Sequence, residues 1–101
     1  MLVDGLSGSC SEIFSGGLQD LGRARIFGSR TAGAVLPSAI ERLPNGDGFQ
    51  YAFANYISAG GAVLEGVGVI PDTVAEPNRE ALLNERDTAL DAAVAWVRSQ
   101  N

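Results

Sequence analysis

Residues 1–13, MLVDGLSGSCSEI, decide the fold of this 101-residue chain. The first three form a short apolar run that enters a turn at Asp4-Gly5, which predicts a strand over Met1–Val3. A strand without polar alternation is typical of the interior of a parallel sheet, where both faces are covered. Other elements normally precede such a strand, so we expect the chain to be the C-terminal piece of a larger domain.

The residues after this turn predict a helix from about Cys10 to Leu21. Its apolar face, at helical spacing, consists of Ile13, Phe14, Leu18 and Leu21. Gly16 and Gly17 interrupt the helix at a cost of about 1 kcal/mol each relative to alanine, which indicates close packing there. Ala24–Phe27 is predicted to be a second strand, so that strand, helix and strand form a parallel crossover.

The rest of the chain predicts a hairpin and a final helix. The turn residues Pro44–Gly48 lie between Ile40–Leu43 and Phe49–Phe53, and therefore predict a β-hairpin. The last segment has apolar residues at i, i+3, i+4 and i+7 and predicts a helix over Asp87–Ser99. The predicted class is α/β, with residues 1–101 forming a single domain.

The composition limits the chemistry that the chain can perform alone. All seven basic residues are arginine, the chain has no histidine and no lysine, and its net charge is −5. A chain this acidic, without a basic stripe, is not expected to bind nucleic acid. A single cysteine excludes an internal disulfide, and without histidine a zinc or copper site is not expected. No apolar run approaches the ~20 residues of a membrane span, and nothing calls for a cofactor.

Ser9 is the candidate nucleophile, and the residues around it allow two interpretations. A serine at a strand-to-helix turn is exposed, and the backbone N–H groups of the helix N-terminus can hold a developing oxyanion. The same residues satisfy the Ser-x-x-Glu capping box, in which Ser9 and Glu12 each accept a backbone N–H. Spacing alone favours the cap and leaves both roles open. In either case, a nucleophilic hydrolase built on this chain lacks a histidine or lysine base.

Three segments resemble the C-terminal processing (tail-specific) serine proteases. Those segments are Ser7–Phe14, Gly17–Ala24 and Gly28–Gly33, and the similarity continues through Leu43–Gly46 and Glu65–Asp72. The resemblance implies a Clp-protease/crotonase-like β-β-α core, with Ser9 as the nucleophile and the Cys10 amide as one oxyanion donor. It also implies that a PDZ module and the first part of the catalytic core lie upstream of Met1.

The chain departs from this family pattern at Ala34, where tail-specific proteases have the lysine that serves as general base. A second branch, similar to the tricorn core protease, takes a histidine from the upstream part of the core. In that branch a glutamate belongs to the site, and Glu65 occupies the matching place. The resemblance therefore implies that Ser9 attacks, an upstream histidine accepts its proton and Glu65 orients that histidine. Taken alone, Glu65 beside a glycine-rich turn is more often a solvated carboxylate.

Two functions follow as hypotheses. The first is the C-terminal portion of a serine endopeptidase that acts on polypeptide chains through an acyl-enzyme. The second is a non-catalytic, truncated module that folds by association. Both predict a homo-oligomer or an association with the missing upstream core segment, because an uncovered sheet edge and apolar surface invite pairing. The family is common in bacterial envelopes, which is the sole indication of a compartment.

Further interpretations concern residues outside the proposed catalytic pair. Asp20 at the helix end is expected to pair with an arginine such as Arg23. The side chain of Cys10 is expected to be small and buried, since it has no histidine or lysine partner. Phe27, Phe49, Phe53 and Trp96 are expected to pack in or near the core.

Overall fold

The computed structural model describes residues 1–100 and contains both parallel and antiparallel strands together with three helices. The elements, in chain order, are β1 Leu2–Val3, α1 Cys10–Asp20, β2 Phe27–Gly28, β3 Ser38–Arg42, β4 Gly48–Ala52, β5 Thr73–Val74, α2 Arg79–Leu83 and α3 Thr88–Ser99. The predicted mixture of sheet and helix is therefore present, with the first strand, first helix, hairpin and last helix close to their expected bounds.

A three-stranded parallel sheet in the order β1-β2-β5 organises the molecule. Phe27 lies opposite Leu2 on one side and Thr73 on the other. The parallel pairing of the first two strands was predicted, but the bounds of the second were wrong, because the strand begins only at Phe27. Just before it, the Ile26 N–H donates to the Asp72 carboxylate at 2.7 Å rather than to a neighbouring strand. β5 was not predicted.

Helix α1 packs on the sheet side through small and polar residues. Its buried residues are Glu12, Ser15 and Gly16, whereas Phe14 of the predicted apolar face is exposed. A Cβ at Gly16 would lie 3.2 Å from a methyl carbon of Val69, so the close packing predicted there is confirmed. At Gly17 a Cβ would meet nothing within 4 Å, and the same prediction was wrong.

The hairpin of β3 and β4 and the helix α3 agree with the sequence pattern. The hairpin strands pair antiparallel, but Phe49 in β4 and Phe53 directly after it are exposed, contrary to the expectation that they pack in or near the core. Helix α3 is capped by the Asp87 carboxylate, which accepts the Leu90 N–H at 3.0 Å. Trp96 of this helix contacts the buried Phe27 ring, with ring centroids 5.9 Å apart, and so attaches α3 to the sheet.

The core of the chain is small for its length. Its buried hydrophobic residues are Val3, Ile26, Phe27, Val35, Leu64, Val69 and Ala81. The radius of gyration is 16.8 Å, against about 13 Å for a compact domain of 100 residues. Many large apolar side chains are open to solvent, including Leu6 with 92% of its surface exposed. Among residues 1–100, none of the helices combines the length and the apolar character needed to cross a bilayer.

Candidate active site

Ser9 lies in the tight connection between β1 and α1, in an unusual backbone conformation. The Asp4 carboxylate first accepts the N–H groups of Leu6 and Ser7, both at 2.9 Å, and so forms the turn that follows the strand. Ser9 then has φ 55° and ψ −125°, and its side chain is exposed. A positive φ is rare for a residue with a Cβ, and such strain is concentrated at functional sites.

The Glu12 carboxylate is completely buried behind Ser9 and is satisfied by four donors. Its Oε1 accepts the Thr31 hydroxyl at 2.5 Å and the Gly33 N–H at 2.6 Å. Its Oε2 accepts the N–H groups of Ala34 at 2.9 Å and Ser9 at 3.1 Å. Burial alone would raise the pKa of Glu12, but these hydrogen bonds outweigh it and leave the pKa below its ordinary value.

The capping box predicted for Ser9 and Glu12 is present at the start of α1. Glu12 Oε2 accepts the Ser9 N–H at 3.1 Å, whereas the Ser9 hydroxyl makes no full hydrogen bond to an N–H of the first turn. The Glu12 N–H donates instead to the Ser9 carbonyl oxygen at 3.0 Å. Within residues 1–100 the adjacent Cys10 N–H has no acceptor. That donor, at the positive end of α1, is available for an anionic group.

The Cys10 side chain is exposed, so the expectation of a buried cysteine was wrong. The first turn of α1 directs residue 10 away from the core, since the buried face of the helix begins at Glu12. Asp20 also differs from its prediction. Its carboxylate accepts the Gly60 N–H at 2.9 Å, which satisfies it without Arg23.

A single loop segment, residues 31–36, joins Ser9 to Glu65. The Ser9 N–H donates to the Ala34 carbonyl oxygen at 2.8 Å. On the same segment, Glu65 Oε2 accepts the N–H groups of Val35 at 2.7 Å and Leu36 at 3.2 Å. Glu65 is half-buried, so it is more enclosed than the solvated carboxylate expected from its glycine-rich neighbourhood alone. In the described part of the chain, no hydrogen bond joins Glu65 to Ser9 directly.

Glycines allow the loop that bears Glu65 to lie against this segment. Gly68 has φ 75°, and a Cβ there would lie 2.5 Å from the Thr31 carbonyl oxygen. A Cβ at Gly33, φ 72°, would lie 3.1 Å from backbone atoms of residues 66–68. The Gly66 N–H donates to the Gly33 carbonyl oxygen at 2.8 Å across the contact. Only backbone fits between the two loops, which fixes the position of Glu65.

The arrangement presents a serine and an open N–H but no base. Neither histidine nor lysine occurs in the chain, so a proton acceptor of the usual kind has to come from elsewhere. Sequence reasoning identified Glu12 only as a capping residue and assigned Thr31 no role. The signal that could have found Glu12 is the run of small and polar residues on one helix face, Glu12, Ser15 and Gly16, where an apolar stripe is normal; no comparable signal marks Thr31.

Comparisons with known proteins agree on one group of enzymes. The family model described as Peptidase family S41 matches residues 1–75. The carboxyl-terminal-processing protease of a Picosynechococcus species is 35% identical over 97 residues, which cover 93% of this chain and 23% of that protein. A CtpA-like serine protease of Staphylococcus epidermidis is 29% identical over 83 residues, covering 81% of this chain and 17% of its own length.

Two solved structures have a similar backbone. The crystal structure of the tricorn protease aligns with a TM-score of 0.86 at 26% identity, over 98% of this chain and 10% of that chain. The photosystem II D1 C-terminal processing protease aligns with a TM-score of 0.66 at 34% identity, over 76% of this chain and 20% of that one. The 101 residues therefore span less than a quarter of the length of these relatives.

Proposed function

Because the chain belongs to peptidase family S41, we propose that it supplies the nucleophile-bearing part of a serine peptidase, with Ser9 as the nucleophile. The observation that carries this proposal is the Ser9 backbone, φ 55°, at the start of α1. That conformation exposes the hydroxyl in front of the helix N-terminus, as in the sharp strand-to-helix turns that present nucleophilic serines in other hydrolases. A serine that served only as an N-cap would have extended backbone angles instead.

The proposed reaction is acyl transfer from a polypeptide substrate. Ser9 Oγ attacks the carbonyl carbon of a peptide bond, and its proton passes to a base. The carbonyl oxygen becomes an oxyanion, to which the open Cys10 N–H donates. The base then protonates the leaving amine as the C–N bond breaks, which leaves an acyl-enzyme ester on Ser9. Water, deprotonated by the same base, attacks the ester carbon, and the base returns that proton to Ser9 Oγ as the ester C–O bond breaks and the acid leaves.

The base in this proposal is a histidine from an upstream segment of the core, oriented by Glu65. Two observations support this role for Glu65. Its Oε2 accepts the N–H groups of residues 35 and 36, which follow Ala34, and the Ala34 carbonyl oxygen accepts the Ser9 N–H. Its second oxygen, Oε1, accepts no hydrogen bond from residues 1–100 and is available to an imidazole N–H. A carboxylate in that relation holds the imidazole in the tautomer that accepts a proton from serine.

We further propose that residues 1–101 are the C-terminal portion of a Clp-protease/crotonase-like core, completed by a segment that covers the exposed apolar side chains. The support is physical. β1 forms an edge of the parallel sheet, and Leu6 and Phe14, which flank Ser9 in sequence, have 92% and 61% of their surface exposed. Such a surface is normally buried by another part of the protein or by a second copy.

The central experiment is reaction of the full-length protein with a fluorophosphonate probe, together with turnover of an unstructured polypeptide. The proposal expects covalent labelling of Ser9 and loss of both signals in Ser9→Ala. Ser11→Ala is the matched control, because Ser11 is an exposed serine two residues away on the same helix turn, and it should label and turn over normally. Circular dichroism confirms folding of each variant. Turnover that survives Ser9→Ala would refute the assignment.

The second candidate is a non-catalytic module that folds as a homo-oligomer. The absence of histidine and lysine from the chain favours this candidate if residues 1–101 act without another segment. Sedimentation of the 101-residue chain, combined with fluorophosphonate labelling, separates the two. A stable oligomer that the probe does not label supports the module. A chain that becomes labelled only when an upstream segment is supplied supports the peptidase.

A further inference from the structure

Glu12 is a buried carboxylate that no cationic side chain neutralises. None of its surface is exposed, and in residues 1–100 the one ion pair is Arg86 with Asp91, which does not involve the site. A buried charge without a counterion is costly unless hydrogen bonds satisfy it. Four donors satisfy Glu12, and their position directly behind the candidate nucleophile indicates a role beyond helix capping.

We propose that Glu12 is the positioning residue of the site, which holds the Ser9 backbone in its positive-φ conformation and fixes residues 31–34 beside it. The inference rests on the proposed role of Ser9 as nucleophile. Glu12 does not touch the substrate in this proposal. It acts through Ser9 and Ala34, whose N–H groups both donate to its Oε2.

The first support is the direction in which the Ser9 N–H is held. A strained backbone conformation persists only where several contacts determine it together. The Ser9 N–H points between two acceptors, the Ala34 carbonyl oxygen at 2.8 Å and Glu12 Oε2 at 3.1 Å. Rotation of Ser9 toward a negative φ would take its N–H away from both. These two acceptors therefore oppose relaxation of the Ser9 backbone to a negative φ.

The second support is that three of the four donors to Glu12 are backbone N–H groups. A backbone N–H cannot be redirected without moving the chain, so the carboxylate fixes the main chain at Ser9, Gly33 and Ala34 together. The hydrogen bonds also keep the pKa of Glu12 low despite its burial, so that the acceptor is ionised and all four bonds persist. The bonds to Gly33 and Ala34 hold the segment whose next two N–H groups bind Glu65.

Thr31 extends the same network to the loop that bears Glu65. Its hydroxyl donates to Glu12 Oε1 and accepts the Val69 N–H at 2.7 Å. The side chain is buried and satisfied on both sides. Through Thr31, Glu12 couples α1 to residues 68 and 69, which follow Glu65 closely. The nucleophile and the proposed orienting carboxylate are thus held by one connected set of hydrogen bonds.

The network makes a specific prediction for Glu12→Gln as opposed to Glu12→Ala. A glutamine oxygen placed toward Ser9 and Ala34 keeps both of those bonds, while its amide group faces the Thr31 hydroxyl, which can rotate to accept. The Gly33 N–H and the Thr31 O–H then lose Glu12 as their acceptor. Alanine removes this acceptor from all four donors and leaves only the Ala34 carbonyl oxygen to hold the Ser9 N–H. The glutamine variant should therefore retain much of the positioning, and the alanine variant should retain little.

The test uses the full-length protein and the second-order rate constant for labelling by a fluorophosphonate. Glu12→Ala should label about 100-fold more slowly, the usual effect of misplacing a reacting group by an ångström, and Glu12→Gln should recover most of the rate. Ile26→Val is the matched control for stability, because it removes a methyl group from a fully buried core residue away from Ser9. It should label as fast as the unmodified protein. A crystal structure of Glu12→Ala should show Ser9 at negative φ.

The outcomes separate this inference from the proposed function. If Glu12→Ala labels at the rate of Ile26→Val, Glu12 does not position the nucleophile. If Glu12→Ala fails to fold, the labelling rate of Glu12→Gln is compared with that of the unmodified protein instead. A glutamine variant that is labelled as slowly as Ser9→Ala overturns the predicted rescue. If the unmodified protein is never labelled, the proposed function fails. The positioning role then depends on the crystal structure alone, and an unchanged Ser9 φ in Glu12→Ala refutes it.

Discussion

Replacement of Ser9 by glycine should make the protein more stable while destroying its nucleophile. Ser9 has φ 55°, and holding a residue with a Cβ in such a region costs about 1–3 kcal/mol. Glycine avoids that cost but loses about 0.4–1 kcal/mol through the greater freedom of the unfolded chain. Since the Ser9 side chain makes no capping hydrogen bond, its removal offsets little. The expected net gain is about 1 kcal/mol, or about 4–8 °C in Tm for a domain near 100 residues.

Two control variants isolate the free-energy cost of the positive-φ backbone at Ser9. Ser9→Ala removes the hydroxyl and keeps the Cβ, so the difference between Ser9→Gly and Ser9→Ala measures the strain. Glu85→Gly tests the other non-glycine residue with a positive φ, 53°, directly after α2 and outside the candidate site. All three are compared by urea denaturation followed by circular dichroism. If Glu85→Gly gains stability but Ser9→Gly is no more stable than Ser9→Ala, then Ser9 is not strained and the reasoning fails.

Three further predictions address the network, the sheet and the missing base. Because the pKa of Glu12 lies below its ordinary value of 4.5, its contribution to stability is present above that pH and lost as the pH falls through the lowered pKa. The midpoint of urea denaturation should therefore drop on acidification, and it should drop less steeply for Glu12→Gln than for the unmodified protein. Gly28→Ala should prevent folding, at a cost above about 4 kcal/mol, since its Cβ would lie 1.9 Å from the Val3 carbonyl oxygen; a native circular dichroism spectrum would contradict this. Ala34→Lys, at an exposed position whose carbonyl accepts the Ser9 N–H, should place an amine beside the nucleophile. With the proposed upstream histidine removed, Ala34→Lys should be labelled at least about tenfold faster than Ala34→Met, against the roughly 10²–10⁴-fold effect of a well-placed general base. No recovery would mean that this side chain points away from Ser9.

The parts of the fold that sequence predicted are those with a local signal. Helix α3 has a regular apolar spacing, and the hairpin has a turn sequence that few other structures accept. The strands β2 and β5 contain two residues each, which is too short for any periodicity. Their position depends on the distant contact between Ile26 and Asp72. The five-residue helix α2 was missed for the same reason of length.

The site was predictable as a motif but not as a geometry. Ser9, Cys10 and Glu65 were chosen from the family pattern, and the structure brings Ser9 and Glu65 to one segment of backbone. The positive φ of Ser9 could not be predicted, because helix-start rules expect extended angles at an N-cap. The burial of Glu12 was equally hidden, since its donors include residues 31–34, which are distant in sequence.

The open groups around Ser9 restrict what the missing base can be. The Ser9 hydroxyl needs a proton acceptor, and Glu65 Oε1, free of donors from residues 1–100, needs a proton donor. An ionised carboxylate can only accept, and an arginine can only donate. A neutral imidazole does both at once through its two ring nitrogens, which are held in a fixed relation by the planar ring.

A neutral lysine amine could also do both, but Glu65 would favour its charged form, which accepts no proton. We therefore infer that a histidine fits this site better than a lysine, in agreement with the alanine at position 34. Glu65→Gln should then slow labelling of Ser9 in the full-length protein, while an unchanged rate would leave Glu65 as a purely structural anchor of residues 35 and 36.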